Sequence, residues 1–317
     1  MNISDIALKI WAAQIVGTIP SRAQFHKLYN SESNFLSAIK DDIQVIDMVN
    51  QLTKEIETNT ALDGVICIFD QDFPLINPTV KAKGDRPYLL FYKGDISLLH
   101  HLNNNVAVIG HTSPSENIQK RERKIVSQLV KEEQVIVSGL AKGCDVIAHE
   151  ECMRLAGKTI AILPSPINEV LPKEHTKQAK QIVETGGLLI SEYYTSPSNP
   201  RFEMTKRYIE RDRLQAMFAK VVILIASYAV KKGDSGARHA MNKALKYKHQ
   251  ACVMYDEKQD SHVDEMELNK QFVEAGSVKV LAKAARKNPV FITIDEIAKY
   301  RISTLERVTS TKQDNLF

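Results

Sequence analysis

The chain has little of what several protein classes require. Its 317 residues hold four cysteines, Cys67, Cys144, Cys152 and Cys252, and no Cys-x-x-Cys pair. That argues against structural zinc, and no cluster of His, Cys, Asp or Glu has metal-ligand spacing. Cys67 and Cys252 lie inside apolar runs, where a reduced thiol behaves as a small hydrophobe, so the usage fits a reducing compartment. No apolar run approaches the roughly 20 residues of a membrane helix. Ile10 to Ile19 is shorter, and Asp5, Lys9 and Gln14 mark it as an amphipathic first helix rather than a signal-peptide core. These absences point to a cytoplasmic chain without a membrane partner. A Gly-x-Gly-x-x-Gly dinucleotide fingerprint, an internal repeat and a low-complexity tract are also missing.

What is present is a globular composition, 44% hydrophobic and 25% charged, long enough for about two domains. The net charge of +4 is unevenly placed. Between Arg201 and Gln250 there are 12 Lys/Arg and 4 Asp/Glu, a balance of +8 against −4 for the rest. Such a block suits a polyanionic partner, although solvated helix faces produce the same pattern.

Apolar spacing predicts helices through residues 1–57, a small helical domain broken at Gly17-Thr18-Ile19-Pro20. Residues 58–105 read as a β-rich lead-in, with strand-like runs at 65–69 and 88–92 around a Pro-rich loop. From Val106 to Leu281 strand and helix alternate. Strands are expected at 106–109, 134–138, 159–163, 187–191, 221–226, 251–255 and 277–281. Helices are expected at 115–131, 144–156, 173–185, 205–218, 235–248 and 266–275. Most of these strands are continuous Val/Ile/Leu runs, the mark of a parallel sheet covered on both faces. The fold class is therefore α/β, a Rossmann-like doubly wound, mostly parallel sheet with a small N-terminal helical domain. Residues 282–317 hold one helical stretch, 294–306, and then a polar tail.

Four loops after strands carry the candidate chemistry. Gly110 closes the first strand, and His111, Thr112, Ser113 and Ser115 lead into a helix whose free N–H groups can hold a phosphate. The second loop, Ser138-Gly139-Leu140-Ala141-Lys142-Gly143-Cys144-Asp145, has the composition of an anion nest. Asp145 and His149, four apart, share a helix face. They either orient each other beside a ligand, or cap the helix and pack on a strand. The third loop begins Ser191-Glu192 and leads through Phe202 to Lys206-Arg207-Tyr208 and Arg211-Asp212-Arg213. Aromatics among arginines suit single strands, since bases stack on rings while guanidinium groups hold phosphates. The fourth loop carries Lys231, Lys232, Ser235, Gly236 and Arg238.

Together these loops resemble the DprA/Smf family of DNA-processing proteins. The resemblance covers residues 62 to 281. It rests on Asp70-Gln-Asp-Phe-Pro74, Pro87-Tyr-Leu-Leu-Phe-Tyr-Lys-Gly94, Val106-Ala-Val-Ile-Gly110, Ser138 to Asp145 with His149, Ser191-Glu192-Tyr193, Arg211-Asp-Arg213, Ser235-Gly236, and Asn269 with Ala275-Gly276. It implies binding of single-stranded DNA, homodimerisation, loading of the RecA recombinase in natural transformation, no catalysis and no cofactor. It gives Gly110, Lys142, Arg211 and Arg213 phosphate-facing roles. The aromatic partner is Tyr208 by spacing, or Phe202 if 206–210 is an insertion. His111-Thr112 stand where the family has Ser-Arg, and Asp212 replaces its asparagine. The 36 residues after Leu281 leave no room for its winged helix. Gln313-Asp-Asn-Leu316-Phe317 resembles the peptides that dock on the bacterial sliding clamp. Two other readings stay open: a nucleotide sensor on the same fold, and a DNA-binding scaffold of phage defence or a mobile element. The Pro-Gly-Gly-x-Gly-Thr loop of nucleotide-cleaving relatives is absent.

Overall fold

The computed structural model describes residues 1–233, 236–281 and 291–302. Ser235, Gln313, Leu316 and Phe317, and with them the clamp-like tail, lie outside the described residues.

The chain opens with β1 (Asn2–Ile3) and the helices α1 (Asp5–Val16), α2 (Arg22–Leu28), α3 (Glu32–Ile39) and α4 (Ile43–Thr58). Ser4, Ser21, Ser31 and Asp42 cap these four helices, each accepting a backbone N–H three residues on. Strands β2 (Gly64–Cys67) and β3 (Leu89–Gly94) follow. The alternating core then runs β4 (Asn105–Ile109), α5 (Glu116–Lys131), β5 (Val135–Ser138), α6 (Cys144–Arg154), β6 (Thr159–Leu163), α7 (Thr176–Glu184), β7 (Leu188–Ser191) and α8 (Pro200–Met217). It continues with β8 (Val221–Leu224), α9 (Ala237–Lys246), β9 (Gln250–Val253), α10 (Glu257–Asp260), α11 (Glu267–Glu274) and β10 (Lys279–Leu281). Last come β11 (Phe291–Ile292) and α12 (Ile294–Lys299).

Among the described residues, eleven strands form one sheet in the order β1-β2-β3-β7-β6-β5-β4-β8-β9-β10-β11. β3 is antiparallel to both of its neighbours, β2 and β7, and every other pair is parallel. Both faces are covered, as the apolar runs predict. In β6, Ile160 and Ile162 enter one hydrophobic cluster while Ala161 and Leu163 enter the other. The second cluster also contains Trp11, Phe25 and Phe35, so the N-terminal helices share a core with the sheet. That segment also supplies strand β1, which the helical periodicity did not foretell. The helix expected from 205 begins at Pro200 instead. Proline at the first helical position needs no N–H partner and has its φ preset, so it starts this helix rather than preceding it.

The chain steps from β4 to β5, β6 and β7 in one direction, then crosses by α8 to β8 on the other side of β4. The loops after β4 and β8 therefore flank the topological switch point, where open α/β sheets place their ligands.

Candidate nucleic-acid interface

The residues singled out in the sequence fall into three buried clusters at this sheet edge and one exposed surface. In each cluster a carboxylate of the chain itself occupies the anion position.

The first cluster is the loop after β4. Gly110 is needed for close packing, because a Cβ there would lie 2.4 Å from Cys144 Sγ. The His111 ring is buried against Tyr228, with ring centroids 5.0 Å apart. Its Nδ1 accepts from the Ser113 N–H at 3.3 Å, so Nε2 carries the proton and donates to Glu265 Oε2 at 3.1 Å. The same oxygen accepts the Ser115 N–H at 2.8 Å, at the start of α5. Glu265 thus sits where a helix N-terminus would otherwise hold a phosphate. His111 is not directed at solvent as a DNA-binding side chain would be, while Thr112 is exposed.

The second cluster is the loop after β5. The nest forms as its composition predicts, and its anion is Asp145. Oδ2 of Asp145 accepts the N–H groups of Gly139 at 3.2 Å and Ala141 at 3.4 Å, and Arg211 Nη1 stands 3.4 Å away. Burial lifts the Asp145 carboxyl above its usual range, and Arg211 opposes the rise. Gly143, at φ +71°, lets the loop pass the backbone of His111 and Thr112, where a Cβ would meet the His111 carbonyl oxygen at 2.4 Å. Ser138 is buried and donates to the Val108 carbonyl at 2.7 Å, tying β5 to β4. His149 is buried on α6 with its Nδ1 2.7 Å from Thr159 Oγ1, whose hydroxyl donates to the Ile136 carbonyl. His149 therefore donates from Nδ1. Burial, with Arg211 and His175 nearby, depresses its pKa to about 3, so the ring is neutral and packs on a strand. Of the readings of the Asp145/His149 pair, packing on a strand fits His149, while Asp145 does not cap α6: it lies in the first turn and its carboxylate is held by the N–H groups of the preceding loop and by Arg211. Lys142 faces outward, 3.0 Å from Glu174 Oε1, in an exposed pair.

Gly139 makes room for Arg211. A Cβ on it would lie 0.9 Å from Arg211 Nη1 and 2.7 Å from Gln215 Nε2. Gly139→Ala is expected to push the guanidinium off Asp145 and cost roughly 1–2 kcal/mol of stability by overpacking. Urea unfolding checks this, and an unchanged midpoint would show that Arg211 relocates freely.

The third cluster joins α8 to the loop after β7. Arg213 is 1% exposed. Its Nη1 and Nη2 donate to both oxygens of Glu192 at 2.7 and 2.6 Å, Nη1 also to the Glu210 carbonyl at 2.6 Å, and Nε to the Asp85 carbonyl at 2.9 Å. Burial would lower its pKa, but Glu192 and Glu210 outweigh that and raise it. Arg22, on α2, adds a bond to Glu210 at 2.6 Å and stands 3.7 Å from Glu192. The phosphate-facing roles expected for Arg211 and Arg213 are thus not what this geometry presents. Both guanidinium groups are buried and face carboxylates.

The exposed surface lies at the start of α8. Phe202 is 73% exposed. Lys206, one turn later on the same face, is exposed, as is Arg201. Arg207 is partly covered, donating to the Thr195 carbonyl at 2.8 Å with its guanidinium 4.2 Å from the Tyr193 ring centroid. Tyr208 is half-buried, with Arg211 5.8 Å from its ring centroid, so Phe202 is the aromatic that solvent reaches. Beyond β8, Lys231, Lys232 and Gly236 are exposed. Arg238, in the first turn of α9, is half-buried.

Glu265, Arg22 and Asp85 had no signal in the sequence. Glu265 is 150 residues from Ser115 and belongs to no motif. Asp85 accepts from Arg213 through its carbonyl and takes Lys243, Lys246 and the Tyr247 hydroxyl on its carboxylate. Asp85 thereby offsets part of the basic block, with Lys243 half-buried and Lys246 exposed. Among the described residues no group of His, Cys, Asp and Glu is arranged to hold a metal, and no helix is long and apolar enough to cross a membrane.

Comparison with known proteins places this geometry. Protein Smf of Escherichia coli K12 is 33% identical over 141 residues, which are 42% of this chain and 37% of that protein. Across the curated relatives, the matched stretch spans 37–50% of their length. The solved structure of DNA processing protein A from Helicobacter pylori has a TM-score of 0.53 at 27% identity, over 64% of this chain and 85% of that one. That of DprA from Streptococcus pneumoniae has a TM-score of 0.59 at 24% identity, over 86% and 89%, and shares the fold. The family model of DNA recombination-mediator protein A matches residues 64–286, from β2 past the end of β10 and through every loop described above. With more than two thirds of its length inside that model, the chain belongs to the DNA recombination-mediator protein A (DprA/Smf) family.

Proposed function

We propose that this protein binds single-stranded DNA along the start of α8, without catalysis, and passes the strand to a RecA-type recombinase during DNA uptake. The observation that carries the reading is Phe202, a large aromatic 73% exposed beside Lys206 and Arg201. An exposed ring flanked by cations suits a base stacked on it with phosphates on the neighbouring charges. The relative from Helicobacter pylori has a single-stranded DNA binding mode of its own, which supports the same ligand here. Asp145 and Glu192 are held in buried pairs, which favours a binding protein over a hydrolase. A homodimer in the cytoplasm completes the proposal, by family likeness.

Fluorescence anisotropy with a single strand and the matching duplex tests it. Tighter binding of the single strand is expected, with affinity falling steeply as salt rises. Phe202→Ala should weaken binding about tenfold, the loss of one base–aromatic stack. Lys206→Ala should flatten the salt slope by about one. Equal affinity for duplex and single strand, or no binding at low salt, would overturn the proposal. A nucleotide-sensor reading finds less support, because Glu265 fills the helix terminus at the switch point.

A further inference from the structure

A cavity of about 510 Å³ lies beside the proposed strand track, outside all three buried clusters. Its walls come from the end of α4, the loop after β6 and the loop after β7. Tyr193 and Tyr194 give it aromatic walls, and Leu62 and Ile167 add apolar surface. Glu55 and Glu169 are its charged lining residues, and no lysine or arginine lines it. Each carboxylate is oriented by a hydroxyl. Tyr194 donates to Glu55 Oε1 and Ser196 donates to Glu169 Oε2. The second oxygen of each has no protein hydrogen bond among the described residues. Cations mark the rim: Lys93 holds the lining residue Thr60 by its carbonyl, and Arg207 holds Thr195 by its carbonyl and covers Tyr193. From there the chain runs to Pro200 and the exposed Phe202.

This arrangement sorts the parts of a nucleotide. The aromatic wall, with the exposed Glu55 and Glu169 at the mouth, disfavours a phosphate but accepts a flat ring that offers N–H donors. The cations outside suit the backbone. We infer that the cavity holds one unstacked base of the bound single strand and prefers guanine, whose N1–H and N2–H groups meet the free carboxylate oxygens. Thymine presents one N–H between two carbonyl oxygens, which the carboxylates disfavour. A pocket that reads an extruded base by its hydrogen-bonding edge, between aromatic walls, is a general solution for such ligands. The inference rests on the single-strand reading above and adds a base preference to it.

The test is competition anisotropy on the full chain with three oligonucleotides: dT20, the same strand with one central deoxyguanosine, and the same strand with deoxyinosine there instead. The guanine strand is expected to bind about tenfold tighter than dT20, as for hydrogen bonds to a charged acceptor. Deoxyinosine, which lacks the N2 amino group, should lose most of that gain. The doubly substituted Glu55→Gln, Glu169→Gln protein should no longer distinguish the guanine strand from dT20. Equal binding of all three strands by the unsubstituted protein would overturn the base pocket and leave single-strand binding intact. Failure to bind any of them would overturn both. The deoxyinosine comparison decides the matter even if the double variant does not fold.

Discussion

Arg213→Ala is expected to destabilise the protein by about 3–5 kcal/mol, the cost of stranding a buried charge. Arg213 is 1% exposed and joins Glu192, the Glu210 carbonyl and the Asp85 carbonyl. Alanine leaves Glu192 with Arg22, 3.7 Å away, as its remaining cation. It also leaves the Asp85 carbonyl without its Arg213 donor and opens a cavity. Against a typical total stability of about 5–15 kcal/mol, much of the population would unfold at moderate urea. Arg213→Lys should recover little, because one ammonium cannot reproduce the planar fork. Replacing Arg213 and Glu192 together by methionine should recover more, since it removes both charges. Urea unfolding of the four proteins measures this. If Arg213→Ala melted like the parent and lost only DNA binding, Arg213 would be a strand ligand after all, as its place in the motif implies.

Glu122 makes the opposite prediction. It lies on α5, fully buried, and neither carboxylate oxygen has a well-formed hydrogen bond among the described residues. Burial pushes its pKa well above the usual carboxylate range, the Cys144 thiol counters part of the rise, and Asp145 adds to it. The folded state therefore keeps a proton that the unfolded state releases above about pH 4.5. Stability falls where the native state binds more protons, so it falls as pH climbs from 4.5 through the raised pKa. Glu122→Leu should stabilise the protein near neutral pH by about 2–3 kcal/mol, by removing an unsatisfied polar group of similar size. Glu122→Gln should remove this part of the pH dependence. Urea midpoints at pH 5 and pH 8 check both, and a parent midpoint that follows Glu122→Gln across that range would contradict the assignment.

Buried strands were legible because both-face burial demands unbroken apolar runs, and Val106–Ile109 or Val221–Leu224 could be little else. The two-residue strands β1 and β11 were not, since two residues carry no period. The nest after β5 was legible from its glycines and serine. Its occupant was not, because Asp145 reads equally as cap, ligand or catalyst.

The same division holds for the charges. By itself the sequence determined the α/β class, the order of the loops on one sheet edge, the family, and the presence of a basic, aromatic segment between β7 and β8. Those properties follow from local periodicity and from residue types at fixed spacing. Which charges face water was decided by tertiary structure alone. Arg213 meets Glu192 across 21 residues, and Glu265 meets Ser115 across 150. A paired arginine and a solvated one are the same letter in the chain. Burial separates them, because a charge removed from water must find an opposite charge, and the fold chooses which one is within reach.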